Sequence, residues 1–414
     1  MIPTKIERCR ICRNKHLVEV CDLGEQALTG IFPKSASQAV TVGPLRLTKC
    51  VGDPDHACGL LQLAHSYELT ELYGSNYGYR SGLNPSMVRH LQQKVARILS
   101  IAPLRAGDLV IDIGSNDGTT LSSYPQGQYT LIGIDPTGQK FRQYYPAHVE
   151  LAPDFFSAAL VQKRYPGRRA RVITSFSMFY DLEEPLTFMK EVLEVLSDDG
   201  IWVFEQSYMP TMLAANAYDT VCHEHLEYYG LRQIKWMADR ADAKIVDVEF
   251  NEVNGGSFSV TLAKRASAYQ EFDRLKDLLA SETELGFDRL EPYQAFAANA
   301  VRLRSDFKNF LDQAQRDGKR VAGLGASTKG NVVLQYCEVS TQQMECVGEV
   351  NPDKFGSYTP GTLLPIISED ELLESRPDYL VVLPWHFRDF FESSPKFNGM
   401  CLVFPLPTLT YVQR

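Results

Sequence analysis

The feature that most constrains the fold is an alternation of apolar runs with helical stretches over residues 69–265. Four short apolar runs recur in this region, at 109–113, 130–134, 171–175 and 200–205. Runs of this length between amphipathic stretches are typical of parallel strands that are buried under helices on both faces of a sheet. We therefore predict a doubly wound α/β domain here.

The regions on either side differ in pattern. Residues 1–68 show short strands and turns, in a region too small to build a large core without a staple. Residues 266–318 are charged and carry apolar residues at three- and four-residue spacing, which predicts a helical connector. From residue 319 a strand, a glycine turn and the apolar run DYLVVLPW predict a second, smaller α/β unit. The predicted fold class is α/β throughout.

Charge and hydropathy exclude several classes of protein. The 414 residues carry a net charge of −9, whereas a nucleic-acid binder needs clustered lysines and arginines that outweigh their acidic neighbours. Hydrophobic residues make up 44% of the chain, yet no apolar run reaches the length of about 18 residues that spans a bilayer. The first residues lack the apolar stretch of a secretory signal. We therefore expect a cytoplasmic protein that binds neither nucleic acid nor membranes.

Four of the nine cysteines fall near the amino terminus. Cys9 and Cys12 form a C-x-x-C pair, and Cys50 and Cys58 form a wider pair about 40 residues later. In a reducing compartment such a set favours tetrahedral zinc over disulfides, with His56 as a competing ligand. Four protein ligands leave no open position, so we expect a structural zinc that stabilises the small domain.

A glycine-rich loop follows the first predicted strand of the central domain. The stretch LVIDIGSNDGTTL turns through Gly114 and Gly118, and the next strand ends about 20 residues later at Asp135. An acidic side chain at that distance reaches ribose hydroxyls. The loop does not match G-x-G-x-x-G, and Asp117 would repel a diphosphate while suiting a sulfonium and an amino group. A glycine turn also occurs in α/β proteins that bind no cofactor.

This loop resembles the first motif of class I S-adenosylmethionine-dependent methyltransferases, D-x-G-x-x-x-G, through Asp112, Gly114 and Gly118. The resemblance implies S-adenosylmethionine as the cofactor, with its adenine beside Asp154 and Phe155. The candidate cofactor-binding residues are Tyr77, Asp112, Gly114, Ser115, Asn116, Asp117, Gly118, Asp135, Pro136, Asp154, Phe155 and Ser175.

Histidines and carboxylates cluster after the strand that ends near Glu205. His223, Glu224, His225 and Glu227 fall within five positions. The histidines are too close together for the zinc-protease arrangement, which places them four residues apart on one helix face. Methylation of carbon requires a base that removes a proton next to a carbonyl, and a histidine suits that step. The alternative is a set of structural residues held by hydrogen bonds.

Nearly the whole chain resembles the sugar C-methyltransferases of deoxysugar biosynthesis. That family combines a zinc-binding amino-terminal domain, a central methyltransferase domain and a C-methyltransferase carboxy-terminal domain, and its H-E-H-L motif supplies a catalytic histidine that His225 matches. The family tyrosine before this motif is Cys222 here, so we expect Tyr79 or Tyr180 to replace it as a hydrogen-bond donor. The candidate catalytic residues are His225, Glu224, His223 and Tyr79.

The resemblance also covers the two ends of a substrate site. The segment NYGYRSGLNPSMVRHL is similar to the family's aromatic segment that closes over the cofactor, whereas SFSMFYDLEEP lacks the family's asparagine and histidine cluster, which implies a different substrate pocket. In GLGASTKGN a helix start offers backbone amides to phosphate, and Lys329 adds charge. The candidate substrate-binding residues are Tyr180, Asn254, Ser257, Ser327, Lys329, Asn351 and Lys354.

The sequence thus predicts a C-methyltransferase that acts at C3 of a nucleotide-linked 4-keto-6-deoxysugar, with His225 as the general base. An O- or N-methyltransferase and a non-catalytic nucleotide-sugar-binding protein stay open as alternatives. The resemblance implies a monomer. The expected domains are zinc-binding (1–68), methyltransferase with a class I Rossmann-like sheet (69–265), helical connector (266–318) and Rossmann-like nucleotide-sugar-binding (319–414).

Overall fold

The amino-terminal part of the chain is built from antiparallel strands. The structure, a computed structural model, describes residues 3–72 and 79–414. Its first elements are β1 (Thr4–Lys5), β2 (Leu17–Ala27), β3 (Val42–Cys50), β4 (Leu61–Leu63), β5 (His65–Ser66) and α1 (Leu69–Leu72). β2 pairs with β3 and β3 with β4, while β1 and β5 form a separate ribbon. At 11 and 9 residues, β2 and β3 are longer than the short strands expected here.

The middle of the chain is a largely parallel sheet covered by helices. Its elements are α2 (Pro85–Ile101), β6 (Leu109–Ile113), α3 (Thr119–Ser122), β7 (Thr130–Ile134), α4 (Gly138–Phe141), β8 (Val149–Ala152), α5 (Ala158–Arg164), β9 (Ala170–Phe176), α6 (Pro185–Val195), β10 (Leu196–Ser207), α7 (Met209–Ala214), β11 (Glu227–Tyr228), α8 (Leu231–Arg240), β12 (Ala243–Asn251) and β13 (Ser257–Lys264). The sheet has the order β12-β13-β10-β9-β6-β7-β8, and β13 runs antiparallel to β10 and β12.

The four predicted strands are confirmed as β6, β7, β9 and β10. All five residues of β6 are buried, because helices cover both faces of the sheet at its centre. Since β6 to β10 run parallel, the loops that follow them collect at one edge of the sheet, where ligands bind in folds of this kind.

The short strand β11 follows the central strand β10 in the chain but belongs to the amino-terminal sheet. It pairs antiparallel with β4, so that the amino-terminal sheet has the order β11-β4-β3-β2. The backbone N–H of Leu63 also donates to the carbonyl of Leu226 at 2.9 Å. The histidine-rich segment just before β11 is therefore held between the amino-terminal and central sheets.

The carboxy-terminal part is a second doubly wound unit preceded by two helices. Its elements are α9 (Leu275–Glu284), α10 (Glu291–Arg316), β14 (Val321–Leu324), α11 (Thr328–Tyr336), β15 (Val347–Glu349), β16 (Ile366–Ser368), α12 (Glu369–Ser375), β17 (Tyr379–Val382), α13 (Arg388–Ser393), β18 (Cys401–Phe404) and β19 (Thr410–Gln413). The strand order is β16-β15-β14-β17-β18-β19, with β19 antiparallel to β18.

Helix α10 packs against the amino- and carboxy-terminal parts. Tyr293, Phe296 and Phe307 belong to one core that also contains Leu47 of β3 and Val332 of α11. The amino- and carboxy-terminal parts therefore share an interior. None of the helices in the described ranges is long and apolar enough to cross a membrane.

Candidate active site

Four cysteine thiols converge beside the amino-terminal sheet. The Sγ atoms of Cys9, Cys12, Cys50 and Cys58 lie within 4.8 Å of one another. The distances from Cys9 to Cys58 and from Cys12 to Cys50 are 3.4 and 3.5 Å, much longer than the roughly 2.05 Å of a disulfide bond. They approach the separation of about 3.8 Å that sulfurs adopt around tetrahedral zinc at about 2.3 Å. The thiols fit a structural zinc, and His56 is exposed outside their cluster.

Arg10 connects this zinc site to the central sheet. Its side chain is buried and donates to the carboxylate of Glu183 at 3.0 Å and to the carbonyl of Leu63 at 2.6 Å. Its Nε also lies 3.9 Å from the carboxylate of Glu227, whose pKa burial raises well above its usual range. Because Glu227 begins β11, two residues after His225, the packing around the zinc site fixes the histidine segment.

The loop after β6 turns sharply at the carboxyl edge of the central sheet. Gly114, Asn116 and Gly118 have φ angles of 72°, 50° and 76°, in the left-handed region. A Cβ on Gly118 would lie 3.1 Å from the ring of Tyr145, so space as well as conformation favours glycine. The backbone N–H of Asn116 donates to the carboxylate of Asp135 at 2.7 Å, which locks this loop to the end of β7.

Two buried carboxylates lie at this loop, Asp117 within it and Asp135 at the end of β7. Asp135 accepts from Thr137 through Oδ1 and from Asn116 through Oδ2. Asp117 accepts from the backbone N–H of Gly82 through Oδ2 at 2.9 Å. A carboxylate oxygen can accept more than one hydrogen bond, so both Oδ2 atoms retain capacity for a ligand. The pair fits the ribose hydroxyls and the positive charges of S-adenosylmethionine.

Two other cofactor candidates lie within the sheet. Asp112 accepts from the hydroxyl of Thr174 at 2.5 Å, and burial raises the pKa of Asp112 to about 7. The hydroxyl of Ser175 is fully buried and accepts from the indole N–H of Trp202 at 3.0 Å. Both side chains therefore support the strand ends beneath the loop.

The remaining cofactor candidates lie at the edge of the sheet. The hydroxyl of Ser115 is 2.8 Å from that of Tyr145, and Pro136 is half-buried next to Asp135. Asp154 and Phe155, after β8, are exposed.

Residues 79–81, before α2, lie on the cofactor loop. Tyr77 lies outside the described residues. Tyr79 is 50% exposed, and its carbonyl accepts from the side-chain amide of Asn116 at 3.1 Å. The N–H of Ser81 donates to the same amide group at 3.0 Å. These bonds place residues 79–81 against the candidate cofactor site.

His223 and His225 have different surroundings although they are two residues apart. His223 is fully buried, its ring meets that of Tyr67 edge-on at 4.8 Å, and its Nδ1 lies 3.4 Å from the hydroxyl of Thr29. Burial lowers the pKa of His223 to about 4. His223 thus packs its segment against the amino-terminal part, while His225 is half-buried.

The position of the hydrogen on His225 follows from its partner. Nδ1 lies 3.0 Å from the backbone carbonyl of Thr220, which can only accept, so Nδ1 donates and Nε2 keeps the lone pair. Burial and the charge of Lys329 lower the pKa of His225 to about 3, against the opposing effect of the Thr220 carbonyl. The ring of Tyr180 packs on the imidazole with centroids 4.3 Å apart. The arrangement offers a neutral base at Nε2.

Glu224 points toward the amino-terminal part. It accepts from the hydroxyl of Thr29 at 3.3 Å, and a Cβ on Gly30 would overlap its carboxylate. That same position on Gly30 lies 3.6 Å from the hydroxyl of Thr328, so all three parts of the chain meet beside Glu224. Cys222 is 1% exposed, and burial raises the pKa of its thiol well above the usual range.

The start of α11 faces the central sheet. The Oγ of Ser327 accepts from the N–H of Gly330 at 3.0 Å and caps the helix. The ammonium of Lys329 donates to the carbonyl of Asn254 at 2.8 Å. Asn254 has a φ of 56° in the turn before β13, and the hydroxyl of Ser257, the first residue of β13, donates to the carbonyl of Val253 at 2.8 Å.

Lys354 and Asn351 shape the neighbouring turn after β15. The ammonium of Lys354 donates to the carbonyl of Ala326 at 2.7 Å and lies 3.3 Å from the carboxylate of Glu349. The Oδ1 of Asn351 accepts from the N–H of Asp353 at 3.1 Å. The substrate candidates of the carboxy-terminal part therefore lie around one helix start.

The structure adds Asp219, Trp385 and His386 to this site. Asp219 accepts from the indole N–H of Trp385 at 2.8 Å, and burial raises its pKa against the opposing charge of Lys329. Burial and the same charge lower the pKa of His386 to about 3. The sequence could have pointed to Trp385 and His386, because PWHF directly follows the strand DYLVVL. That strand neighbours β14 in the sheet and ends at the same edge.

Comparisons with known families cover the chain in three consecutive stretches. Residues 9–73 match a putative zinc binding domain, residues 87–248 a methyltransferase domain and residues 252–407 a C-methyltransferase C-terminal domain. The C-methyltransferase NovU of Streptomyces niveus is 27% identical over 408 residues, which is 97% of this chain and 96% of NovU.

Two solved structures are similar to part of the chain. One is the complex of the Haloferax volcanii Trm112 methyltransferase activator and a putative methyltransferase, with a TM-score of 0.36, 13% identity and coverage of 44% of this chain and 93% of that one. The other is an S-adenosylmethionine-dependent methyltransferase from Clostridium acetobutylicum, with a TM-score of 0.34, 10% identity and coverage of 43% and 92%.

The α/β fold, the glycine loop and the matched methyltransferase domain define an S-adenosylmethionine-dependent methyltransferase. On either side of that domain lie the zinc-binding and C-methyltransferase regions, each matched in its own stretch. In the order of its matched regions, the chain is similar to C-methyltransferases that combine these three domains.

Proposed function

We propose that the enzyme methylates C3 of a nucleotide-linked 4-keto-6-deoxysugar with His225 as the general base. One turn, residues 177–181, carries this proposal because it touches both the cofactor loop and the histidine. On one side, a Cβ on Gly114 would lie 3.0 Å from the side chain of Met178. On the other, the ring of Tyr180 packs on that of His225 at 4.3 Å. The base and the methyl donor would then face the same small volume.

The tautomer of His225 suits proton removal from carbon. Because Nδ1 of His225 donates to the Thr220 carbonyl, Nε2 is the atom that can take a proton. Loss of the proton next to the ketone gives an enolate, whose carbon is the nucleophile. When bound, S-adenosylmethionine supplies an electrophilic methyl group. An O- or N-methyltransferase needs no enolate, so the two reactions differ in whether the carbon loses its proton.

We assign the nucleotide end of the substrate to the start of α11. Backbone amides of the first turn of this nine-residue helix, together with the nearby ammonium of Lys354, would attract a diphosphate. The side chains of Ser327 and Asn351 cap the two turns by accepting hydrogen bonds from backbone N–H groups. Thr328 in the same turn and Glu224, the neighbour of His225, both lie beside Gly30, so a sugar attached to that diphosphate would extend toward the imidazole.

In this proposal each expected domain has its own role. Residues 69–265 would bind the methyl donor, residues 319–414 the nucleotide sugar, and residues 1–68 would hold the histidine segment through Arg10 and β11. Residues 266–318 would connect the two binding domains.

Solvent exchange tests this function directly. The enzyme is incubated in D₂O, without methyl donor, with a panel of nucleoside diphosphate 4-keto-6-deoxyhexoses that differ in nucleobase. We expect proton NMR to show loss of the C3 proton in at least one member, and no loss with the His225→Ala variant. Methylation of an accepted member on oxygen or nitrogen, with the C3 proton retained throughout, would overturn the proposal.

A further inference from the structure

Lys329 lies in the first turn of α11. Its ammonium donates to the carbonyl of Asn254 at 2.8 Å, and its charge acts on the pKa values of Asp219, His225 and His386. Within the ranges that the structure describes, no carboxylate oxygen lies within 4.0 Å of this ammonium. A lysine with one hydrogen bond and no direct ion pair keeps N–H groups for a ligand.

Asp219 supplies a buried counter-charge at a distance. It is 1% exposed, its Oδ2 accepts from Trp385, and its Oδ1 has no hydrogen-bond partner among the described residues. The two charges therefore interact without a direct contact. A polar atom of a substrate can approach Lys329 without first breaking an ion pair.

The proposed reaction needs a donor for the enolate oxygen. Cys222, at the position of the family tyrosine, is buried and carries only a weakly donating thiol. The ring of Tyr180 is already packed on His225 at an interplanar angle of 56°. Thr328, which precedes Lys329, and Glu224, which precedes His225, both lie beside Gly30. From this turn, the cation of Lys329 would do the same work more strongly, because charge-assisted hydrogen bonds are about twice as strong as neutral ones.

We infer that Lys329 is a catalytic residue that stabilises the oxygen of the reacting carbonyl, an inference that rests on the proposed function. Nε2 of His225 takes the proton, the C–H electron pair forms the carbon–carbon double bond, and the carbonyl π pair moves to the oxygen, where Lys329 donates. On methyl transfer the carbonyl reforms, the new carbon–carbon bond forms, and the methyl–sulfur bond breaks with its pair left on sulfur. The proton on His225 then leaves to solvent.

A role in phosphate binding alone predicts a different phenotype. Without its ammonium, an enzyme that used Lys329 only for the diphosphate would bind nucleotide weakly but turn over normally at saturation. An enzyme that used Lys329 at the carbonyl would bind nucleotide well and turn over slowly. Lys354 is the matched control, because it is the other lysine beside this helix start and donates to Ala326.

The experiment compares Lys329→Met, Lys329→Arg and Lys354→Met with the wild type on the accepted panel member. Measured quantities are kcat, KM, deuterium wash-in at saturating substrate, and the Kd of the free nucleoside diphosphate. We expect K329M to lower kcat and wash-in by about 100-fold or more while its Kd changes little. K329R should recover part of the wash-in, and K354M should raise the Kd of the free nucleoside diphosphate, which K329M leaves nearly unchanged.

The outcomes separate the two proposals. If K329M shows wash-in and kcat within a few-fold of the wild type, Lys329 does not serve the carbonyl, and the role of His225 is unaffected. If K329M does not fold, as judged by circular dichroism, the K329R variant decides: wash-in below the wild type at unchanged Kd supports the inference, and unchanged wash-in overturns it. If the wild type shows neither wash-in nor C-methylation, the proposed function fails and this inference with it.

Discussion

The ring of Tyr180 lies 4.3 Å from the imidazole of His225, centroid to centroid, and at 56° to its plane. The carbonyl of Tyr180 also accepts from the N–H of Leu226 at 2.8 Å, so the histidine segment is fixed to the turn by backbone as well as side chain. The same turn touches the cofactor loop through Met178, so one short segment contacts both the loop and the histidine.

Substitution of the base should abolish turnover without loss of donor binding. In His225→Ala we expect kcat to fall by about 100-fold or more, because general-base catalysis commonly contributes 100- to 10,000-fold. The donor loop does not depend on the imidazole, so calorimetry with S-adenosylhomocysteine should give a Kd close to that of the wild type. His16→Ala, at an exposed histidine, is the control. Near wild-type turnover of His225→Ala would show that another group removes the proton.

Replacement of Asp135 should act on the methyl donor. In Asp135→Asn the side chain keeps its shape but loses its charge and one acceptor, while Asn116 and Thr137 still require acceptors. We expect S-adenosylhomocysteine to bind about tenfold or more weakly in calorimetry, since a hydrogen bond to a charged group is worth about 1.5–3 kcal/mol. Asp199→Asn, at an exposed aspartate, should bind normally. Equal affinities of the two variants would remove Asp135 from the donor site.

Loss of one thiol should empty the zinc site and loosen the amino-terminal part. In Cys58→Ser we expect metal analysis to show less than one zinc per chain and thermal unfolding to begin at lower temperature, because zinc binding contributes to folding free energy. Cys401→Ser, in β18 and outside the cluster, should retain both properties. A full equivalent of zinc and an unchanged melting curve in Cys58→Ser would contradict the four-cysteine site.

Acid should destabilise the fold through its buried histidines. The pKa of His223 is lowered to about 4 in the folded state, so between that value and about 6.5 the unfolded chain binds more protons, and stability falls as pH falls through this window. At full effect this histidine alone accounts for roughly 3 kcal/mol. The urea midpoint should therefore drop between pH 7.5 and pH 5, and His223→Gln should drop less.

The matched variant for this titration is His16→Gln, because His16 is exposed. It should keep the pH dependence of the wild type. If His223→Gln and the wild type lose the same stability on acidification, His223 does not carry the effect.

Much of the fold was predictable because its signals are local. The apolar run over 109–113, the glycine loop after it and the paired cysteines each specify a strand, a turn or a metal site from neighbouring residues. The structure confirms the α/β class and the four-thiol cluster. The assignment of β11 to the amino-terminal sheet was not predictable, because the pairing of Glu227 with Gln62 spans 165 positions of sequence and only two residues of strand.

The site was predictable in part for the same reason. The motif around His225 is a local pattern, but the separation of His223 and His225 into two environments depends on where Thr29 and Tyr67 pack. Asp219 and Trp385 meet across 166 positions, so their contact has no local signal in the sequence. The catalytic and binding roles given to these residues stay predictions until the variants are measured.

The most direct test of the central claim is the position of the transferred methyl group. The enzyme is incubated with an accepted nucleotide 4-keto-6-deoxyhexose and S-adenosylmethionine labelled with ¹³C in its methyl group, and the product is examined by NMR. We predict a labelled methyl bonded to C3 of the sugar, absent with His225→Ala. A labelled methyl attached to oxygen or nitrogen, or equal labelling of C3 by the variant, would contradict the account.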